Sequence, residues 1–501
     1  MASSSSLRCS SSWRDSDQGV VTIEKEISYS INLSQDLLFI ILESYISKNF
    51  VLCCEYFECV DEHDVRSRLM DNSFVSTIKQ LESSRKFVFV HENGLLPLVD
   101  RTSSERSVRV DRNAGATARI RRILTCQVYR PCAASPVEIK FEKIYMDQNA
   151  SYKFDFLMAN KQISLLNLLH NKTKNENRQS FLGSDEILAN LRLEYEYESV
   201  VDPAALRSMF EIVAAIETIA SPHNIEPSLP YTTLQNAIVC RKFEEERLLN
   251  DPAADVLKWA LKLDGVRGKG LFTKRNGAIV FMDDMRMFSG KLPWRFALNN
   301  AIAFQCELVE AVDGEFDGEL YITDLLQVFK YTYNNRTQYE CSPDAYPIDA
   351  LSAVQTLNHL GASMAAHEPV VLVSDTPAAS IHIKLKVRFQ RFFEPPFSPC
   401  DGGGYNTMPT DGFVALDTQL RYVKYKKVRT VELEYNEANG GALCALNGPL
   451  LGYAVVRSHG CHVLEHGKIY ETVVNVAEKT VQVLKERPDR ILAQEVSDLV
   501  V

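Results

Sequence analysis

Residues Trp259–Gly270 read WALKLDGVRGKG, which places Lys262 two residues before Asp264-Gly265 and five before Arg267. A lysine amine attacks phosphorus only when deprotonated, and desolvation or neighbouring cations lower its pKa enough for that. Gly265 suits a turn, after which Arg267 returns with a rigid fork for phosphate or ribose. Downstream, FQCELV places Glu307 alone among apolar strand residues, and GELYITDLL carries Glu319 and Asp324. Glu307 and Glu319 compete for the role of ribose- or metal-binding carboxylate. Glu319 lies only five residues before Asp324, too near for separate strands joined by a turn, so Glu307 is preferred. Further on, Asp411-Gly412 enters an apolar strand, and YVKYK alternates so that Lys424 and Lys426 share one face. Two lysines on one face suit an α-phosphate and would help depress the pKa of Lys262. Near the end, ERPDR gathers Arg487, Asp489 and Arg490.

A second set of charged residues lies in the first 200 positions. In TIEKEISY, Glu24, Glu26 and Ser28 alternate with Ile23, Ile27 and Tyr29; in LRLEYEYE, Glu194, Glu196 and Glu198 do the same. Like charges two apart on a strand repel, so they belong where a divalent cation or basic residues stand between strands. Oxygen ligands of this kind suit Mg²⁺ or Mn²⁺. Basic partners are present: residues 101–143 hold ten Arg or Lys against four Asp or Glu, a local charge of +6. They include Arg109, Arg119, Arg121 and Lys140, the last sharing a face with Glu138 and Glu142. A closed barrel with inward carboxylates and cations would hold metal and triphosphate together. The plainer alternative is amphipathic strands with charged outer faces.

Taken in order, the elements from Lys262 to Arg490 resemble motifs I, III, IIIa, IV, V and VI of the covalent nucleotidyltransferases. That group comprises mRNA guanylyltransferases and polynucleotide ligases, and the resemblance covers about 226–501. Cys306 stands where glycine is usual before the motif III glutamate, and Arg490 where motif VI ends in lysine. The resemblance implies an α/β nucleotidyltransferase domain followed by an OB-fold lid. It makes Lys262 the nucleophile on the α-phosphate of GTP, giving lysyl-GMP. Arg267, Lys424 and Lys426 would hold phosphates, and Glu307 and Asp411 metal and ribose. Asp264, Gly265, Asp324 and Arg490 would bind the nucleotide, while Arg487 and Asp489 orient pyrophosphate. The paired ExE strands around a basic middle resemble tunnel-type, metal-dependent RNA triphosphatases. There Glu24, Glu26, Glu194 and Glu196 match metal ligands, with Glu198 as a register alternative. Arg109, Arg119, Arg121 and Lys140 would bind triphosphate. A triphosphatase followed by a guanylyltransferase resembles the baculovirus late expression factor four family, with similar proteins in nudiviruses. That resemblance implies an mRNA capping enzyme in the nucleus of an infected cell, acting as a subunit of a viral RNA polymerase. Its partners would be the 5′ end of nascent RNA, GTP and the other subunits, with Mg²⁺ or Mn²⁺ at both sites. An ATP-dependent polynucleotide ligase and an inactive polymerase scaffold are the competing readings; the ExE pair argues against the first.

These groups need a scaffold, and the composition bounds it. With 501 residues, 46% hydrophobic and 24% charged, the chain is long enough for about three globular domains. The fold class expected is α+β multidomain: an antiparallel β-barrel tunnel over 20–225, the nucleotidyltransferase domain over 226–428, and the OB-fold over 429–501. Residues 1–19 form a Ser-rich disordered lead without an apolar core, so no secretory signal is expected. Apolar runs such as Leu37–Leu42 are far too short to span a bilayer, and no membrane partner is expected. Asp202-Pro203 opens a helix that Ser221-Pro222 closes, Asn276-Gly277 marks a hairpin, and Glu394–Gly412 reads as a loop. The last 70 or so residues read as short strands ending in a helical tail. Twelve cysteines without a CxxC pair fit a reducing compartment. His459, Cys461, His462 and His466 lack a completing pair, so no structural zinc is expected. A net charge of −10 argues against a simple basic coat for nucleic acid, although it averages over any local basic channel.

Overall fold

A computed structural model describes residues 21–70, 73–92, 94–108, 119–147, 188–224, 231–249, 255–274, 277–282, 286–296, 300–310, 315–333, 339–364, 369–374, 383–396, 410–426, 428–457, 463–488 and 490–495. The Ser-rich lead lies outside these residues. The chain divides into two compact units, one of 1–241 with 265–391 and the other of 242–264 with 392–501. The stretch 226–428 is therefore shared between both units, and the chain passes from one to the other between Asp264 and Gly265.

The first unit opens with eight strands: β1 Val21–Ser30, β2 Val51–Asp61, β3 Val65–Met70, β4 Ser73–His91, β5 Gly94–Ser107, β6 Ile120–Arg130, β7 Val137–Asp147 and β8 Leu188–Tyr197. They pair antiparallel in the order β1-β8-β7-β6-β2-β3-β4-β5, and β5 pairs back onto β1. The sheet is a closed barrel. Its alternation is inverted relative to an ordinary core: outward Ile27, Tyr29, Ile139, Phe141, Leu191 and Leu193 are buried under two helices, Gln35–Ile41 and Pro203–Ala220. The second helix has the expected start, with Asp202 accepting a hydrogen bond from the Ala204 N–H at 2.8 Å and Pro203 in the first turn. Because helices supply the apolar cover outside this wall, the inward positions of the same strands are left to charged residues.

The rest of the first unit is a ring of strands with one long helix, Ala350–Met364. Asn300–Val309 pairs with Val266–Thr273 on one side and with Gly318–Tyr333 on the other. The hairpin expected at Asn276-Gly277 joins Val266–Thr273 to Gly277–Phe281, with Gly277 at φ 70°.

In the second unit, Val256–Leu263, Thr410–Asp417, Tyr422–Lys426 and Glu245–Leu248 form a four-stranded sheet. One face packs Trp259, Phe413, Ala415, Val423 and Tyr425 into an apolar cluster. Six strands lying between Val431 and Glu486 form a sheet over a core of Val431, Leu433, Tyr470, Val481 and Val483. The expected helical tail is corrected here. Thr480–Glu486 is a strand, since Val481 and Val483 alternate into that core, and no helix follows among the described residues.

Candidate functional site

Inside the barrel a cavity of about 250 Å³ is lined by Glu24, Glu26, Lys79, Lys140, Arg192, Glu194 and Glu196, with Arg101 beside Glu26 on β5 and Arg66 and Arg68 on β3. The β1–β8 register sets Glu26 opposite Glu196 and Ser28 opposite Glu194, while β7–β8 sets Glu138 opposite Glu194. The two ExE strands are thus direct neighbours, although their carboxylates are 170 residues apart in sequence. Lys140 is bound to Glu194 and lies 3.1 Å from Glu138. Arg192 pairs with Glu194 at 2.7 Å and with Glu142 at 3.0 Å.

These contacts split the carboxylates electrostatically. Burial would raise the pKa of Glu194, but the Lys140 ammonium and the Arg192 guanidinium overcome it and hold the group well below the usual range. For Glu196 burial and the Glu24 charge act together and push the pKa up. Glu138, Glu194 and Glu196 bring one carboxylate oxygen each within 4.8 Å of one another. Such hard oxygen donors fit Mg²⁺ or Mn²⁺. The grouping differs from the expected quartet: Glu138 joins it because β7 lies beside β8, while Glu24 and Glu26 are engaged by Lys79. Glu198 lies past the end of β8, so the Glu194/Glu196 register is the one that enters the cavity.

The basic residues need correction. Arg119 precedes β6 and is exposed, and Arg121 pairs with Asp64 at 3.0 Å in the β2–β3 turn. Period-two alternation sends Arg122 inward instead, where it meets Glu142 at 3.2 Å. Arg109 lies outside the described residues. Sequence reasoning missed Arg192, legible two residues before Glu194, and also missed Arg66, Arg68, Lys79 and Arg101. Arg66 and Arg68 alternate along VRSRLM and were legible as a basic face, whereas Lys79 and Arg101 lie on strands with no charge alternation to mark them. Glu142 is only 3% exposed and holds both Arg122 and Arg192. Glu142→Ala should cost about 3 kcal/mol of stability in a denaturant titration, because two partly buried guanidiniums lose the carboxylate they share.

The lysine-bearing sheet belongs to the second unit. Ala260 stands beside Val414, which faces Lys424, and Lys262, at the register shift between Leu261 and Leu263, acts by its charge on Lys424. The lysine face is thus opposite the Trp259 cluster. Burial lowers the pKa of Lys424, as do the charges of Lys426 and Lys262, against an opposing Glu246. Lys424 also lies 4.7 Å from the Phe243 ring centroid. Lys426 is buried, 2.7 Å from the Thr430 hydroxyl and 3.7 Å from Glu471. Gly412 has φ 94°, and a Cβ there would meet the Tyr425 carbonyl oxygen at 2.0 Å, so glycine is required for the strands to approach. Asp411 lies on the same strand, but its side chain is outside the described residues.

Within the second unit, Lys485 donates to both oxygens of Asp264, at 2.7 and 3.0 Å. Arg487 pairs with Glu432 at 3.0 Å and Glu471 at 3.3 Å, and Arg490 with Glu432 at 2.9 Å. Asp489 lies outside the described residues, as do His459, Cys461 and His462; His466 accepts a hydrogen bond from the Glu437 N–H. Within the first unit, Glu307 accepts from the Gly265 N–H at 3.2 Å and stands opposite Arg267, which is hydrogen-bonded to Gln305. Glu307 and Asp324 occupy paired antiparallel strands, whereas Glu319 shares the strand of Asp324. Glu319 is buried against Tyr321 and Arg388, and Asp324 is buried against Arg241 at 2.8 Å.

The chain thus carries two charged centres on separate β scaffolds: a closed barrel with an acid–base interior, and a sheet with a lysine face. It belongs to the late expression factor 4 family, whose model matches residues 24–494. It is 43% identical over 491 residues to a protein of Autographa californica nuclear polyhedrosis virus named mRNA capping enzyme LEF-4, covering 95% of this chain and 99% of that one. A protein of the same name from Orgyia pseudotsugata multicapsid polyhedrosis virus is 41% identical over 487 residues. Among solved structures, the triphosphatase of the Mimivirus capping enzyme matches with 12% identity and a TM-score of 0.22, over 40% of this chain and 90% of that one. No helix among the described residues is long and apolar enough to cross a membrane.

Proposed function

We propose that this protein is a bifunctional mRNA capping enzyme. It removes the γ-phosphate from 5′-triphosphate RNA in the barrel, then transfers GMP from GTP through Lys262 to the 5′-diphosphate end. The observation that supports this best is the closure of the barrel, which sets Glu26 opposite Glu196 beside Lys140 and Arg192 in one cavity. The relatives named as capping enzymes point the same way.

In the barrel, Glu24, Glu26, Glu194 and Glu196, joined by Glu138, would hold Mg²⁺ or Mn²⁺. The ion supplies charge neutralisation and a water of lowered pKa. Lys140 and Arg192 set the ionisation of Glu194 and present cations to the phosphate chain. At the second centre, Lys262 attacks the α-phosphate of GTP; a P–N bond forms and pyrophosphate leaves with the electrons of the broken P–O bond. The charges of Lys424 and Lys426 neutralise the α-phosphate as its charge rises. Asp264, Gly265, Arg267, Glu307, Asp324, Asp411 and Arg490 are assigned to nucleotide, ribose and metal contacts. Arg487 and Asp489 are assigned to pyrophosphate, and the C-terminal sheet to an OB-fold lid domain. Partners would be other subunits of a viral RNA polymerase in the nucleus of an infected cell.

The test incubates the protein with α-labelled GTP or α-labelled ATP in Mg²⁺ or Mn²⁺ and resolves protein-bound label by electrophoresis. Label from GTP is expected. Label from ATP alone would make the protein a ligase, and label from neither would leave a scaffold.

A further inference from the structure

We propose that Lys79 is the resident counter-cation of the tunnel carboxylates and competes with the divalent ion for Glu24 and Glu26. The inference rests on the metal-dependent reading of the barrel given above. Lys79 reaches the site from β4, which is separated from β1 by β5. Its Nζ lies 2.5 Å from one oxygen of Glu24 and 3.4 Å from one of Glu26, and its side chain is 19% exposed. Two of the other interior cations, Lys140 and Arg192, have acids of their own. Lys140 is bound by Glu138 and Glu194, and Arg192 by Glu194 and Glu142. Glu24 and Glu26 are therefore the pair that Lys79 neutralises, with Arg101 adding a contact to Glu26 at 3.5 Å.

An ammonium group is a compact charge that presents three donors, and it takes the same carboxylate oxygens that a hard divalent ion would use. The two cations repel at such separations, and the partly buried setting screens them less than water would. Binding of the ion thus requires the Lys79 head group to withdraw. Its flexible stem leaves it lining the same cavity, where the phosphate chain of a substrate is the next available anion. The exchange would couple metal loading to the release of a phosphate-binding cation.

Mn²⁺ binding to the full-length protein, measured by titration calorimetry without RNA or nucleotide, tests this. Lys79→Met keeps the stem and removes the charge, and should bind Mn²⁺ about tenfold more tightly than the parent. Lys79→Arg keeps the charge and should bind with close to the parental affinity. Lys79→Gln is a second neutral variant, and thermal unfolding verifies that each variant is folded. Parental or weaker Mn²⁺ affinity in a folded neutral variant would overturn the proposal. A Glu24→Gln/Glu26→Gln double variant should lose most Mn²⁺ binding. If it binds as the parent does, the assignment of metal to these carboxylates fails, whatever the Lys79 variants show.

Discussion

Lys262→Ala should form no protein-bound GMP from α-labelled GTP, a loss of at least about 10⁴-fold in covalent labelling. The side chain is partly exposed and stands outside the Trp259 cluster, so its removal deletes no core packing. Lys262→Arg discriminates further. A guanidinium keeps the positive charge beside Lys424 but cannot be deprotonated, so it should label no better than alanine. Labelling that survives in either variant would move the nucleophile to another residue. Release of γ-phosphate should continue in both, because the barrel belongs to the other compact unit.

Glu26→Ala should reduce γ-phosphate release at least about 10²-fold while GMP labelling continues. Glu26 is 7% exposed, stands opposite Glu196 and is contacted by both Lys79 and Arg101. Its loss removes a hard ligand and leaves two cations short of a partner, so metal affinity and the placing of the phosphate chain suffer together. Glu26→Gln separates these effects from folding, since it keeps the volume and loses only the charge. Unchanged phosphate release in either variant would reject the barrel as the hydrolytic site.

Much of this was legible locally. Alternation in TIEKEISY and LRLEYEYE identified the faces of β1 and β8 because a strand has period two whatever lies beside it. The spacing of Glu307 and Asp324 left room for a strand, a turn and a second strand, and both residues lie on paired strands. Asp202-Pro203 opened its helix as expected, since capping is satisfied within a few residues. Where neighbours decided the outcome, the reading slipped. Arg121 and Arg122 are adjacent, and the pairing of β6 with β7 shows which one faces Glu142. The helical tail expected at the end of the chain gives way to the strand Thr480–Glu486, because the C-terminal sheet supplies a core for Val481 and Val483. Net charge misled in the same way: an overall −10 coexists with a cavity in which cations and carboxylates are closely matched.

The sequence by itself determined which residues carry charge on each strand face, that a lysine stands before an Asp-Gly turn, and that two carboxylate strands exist far apart. The tertiary structure alone decided that β1 and β8 are neighbours, that Glu138 joins their carboxylates, and that Lys79 reaches Glu24 and Glu26 from β4. The physical reason is that side-chain alternation is a property of one strand, whereas register and barrel closure follow from where the apolar faces find cover. Here that cover is the pair of helices outside the wall, and it turns the charged faces inward onto one another.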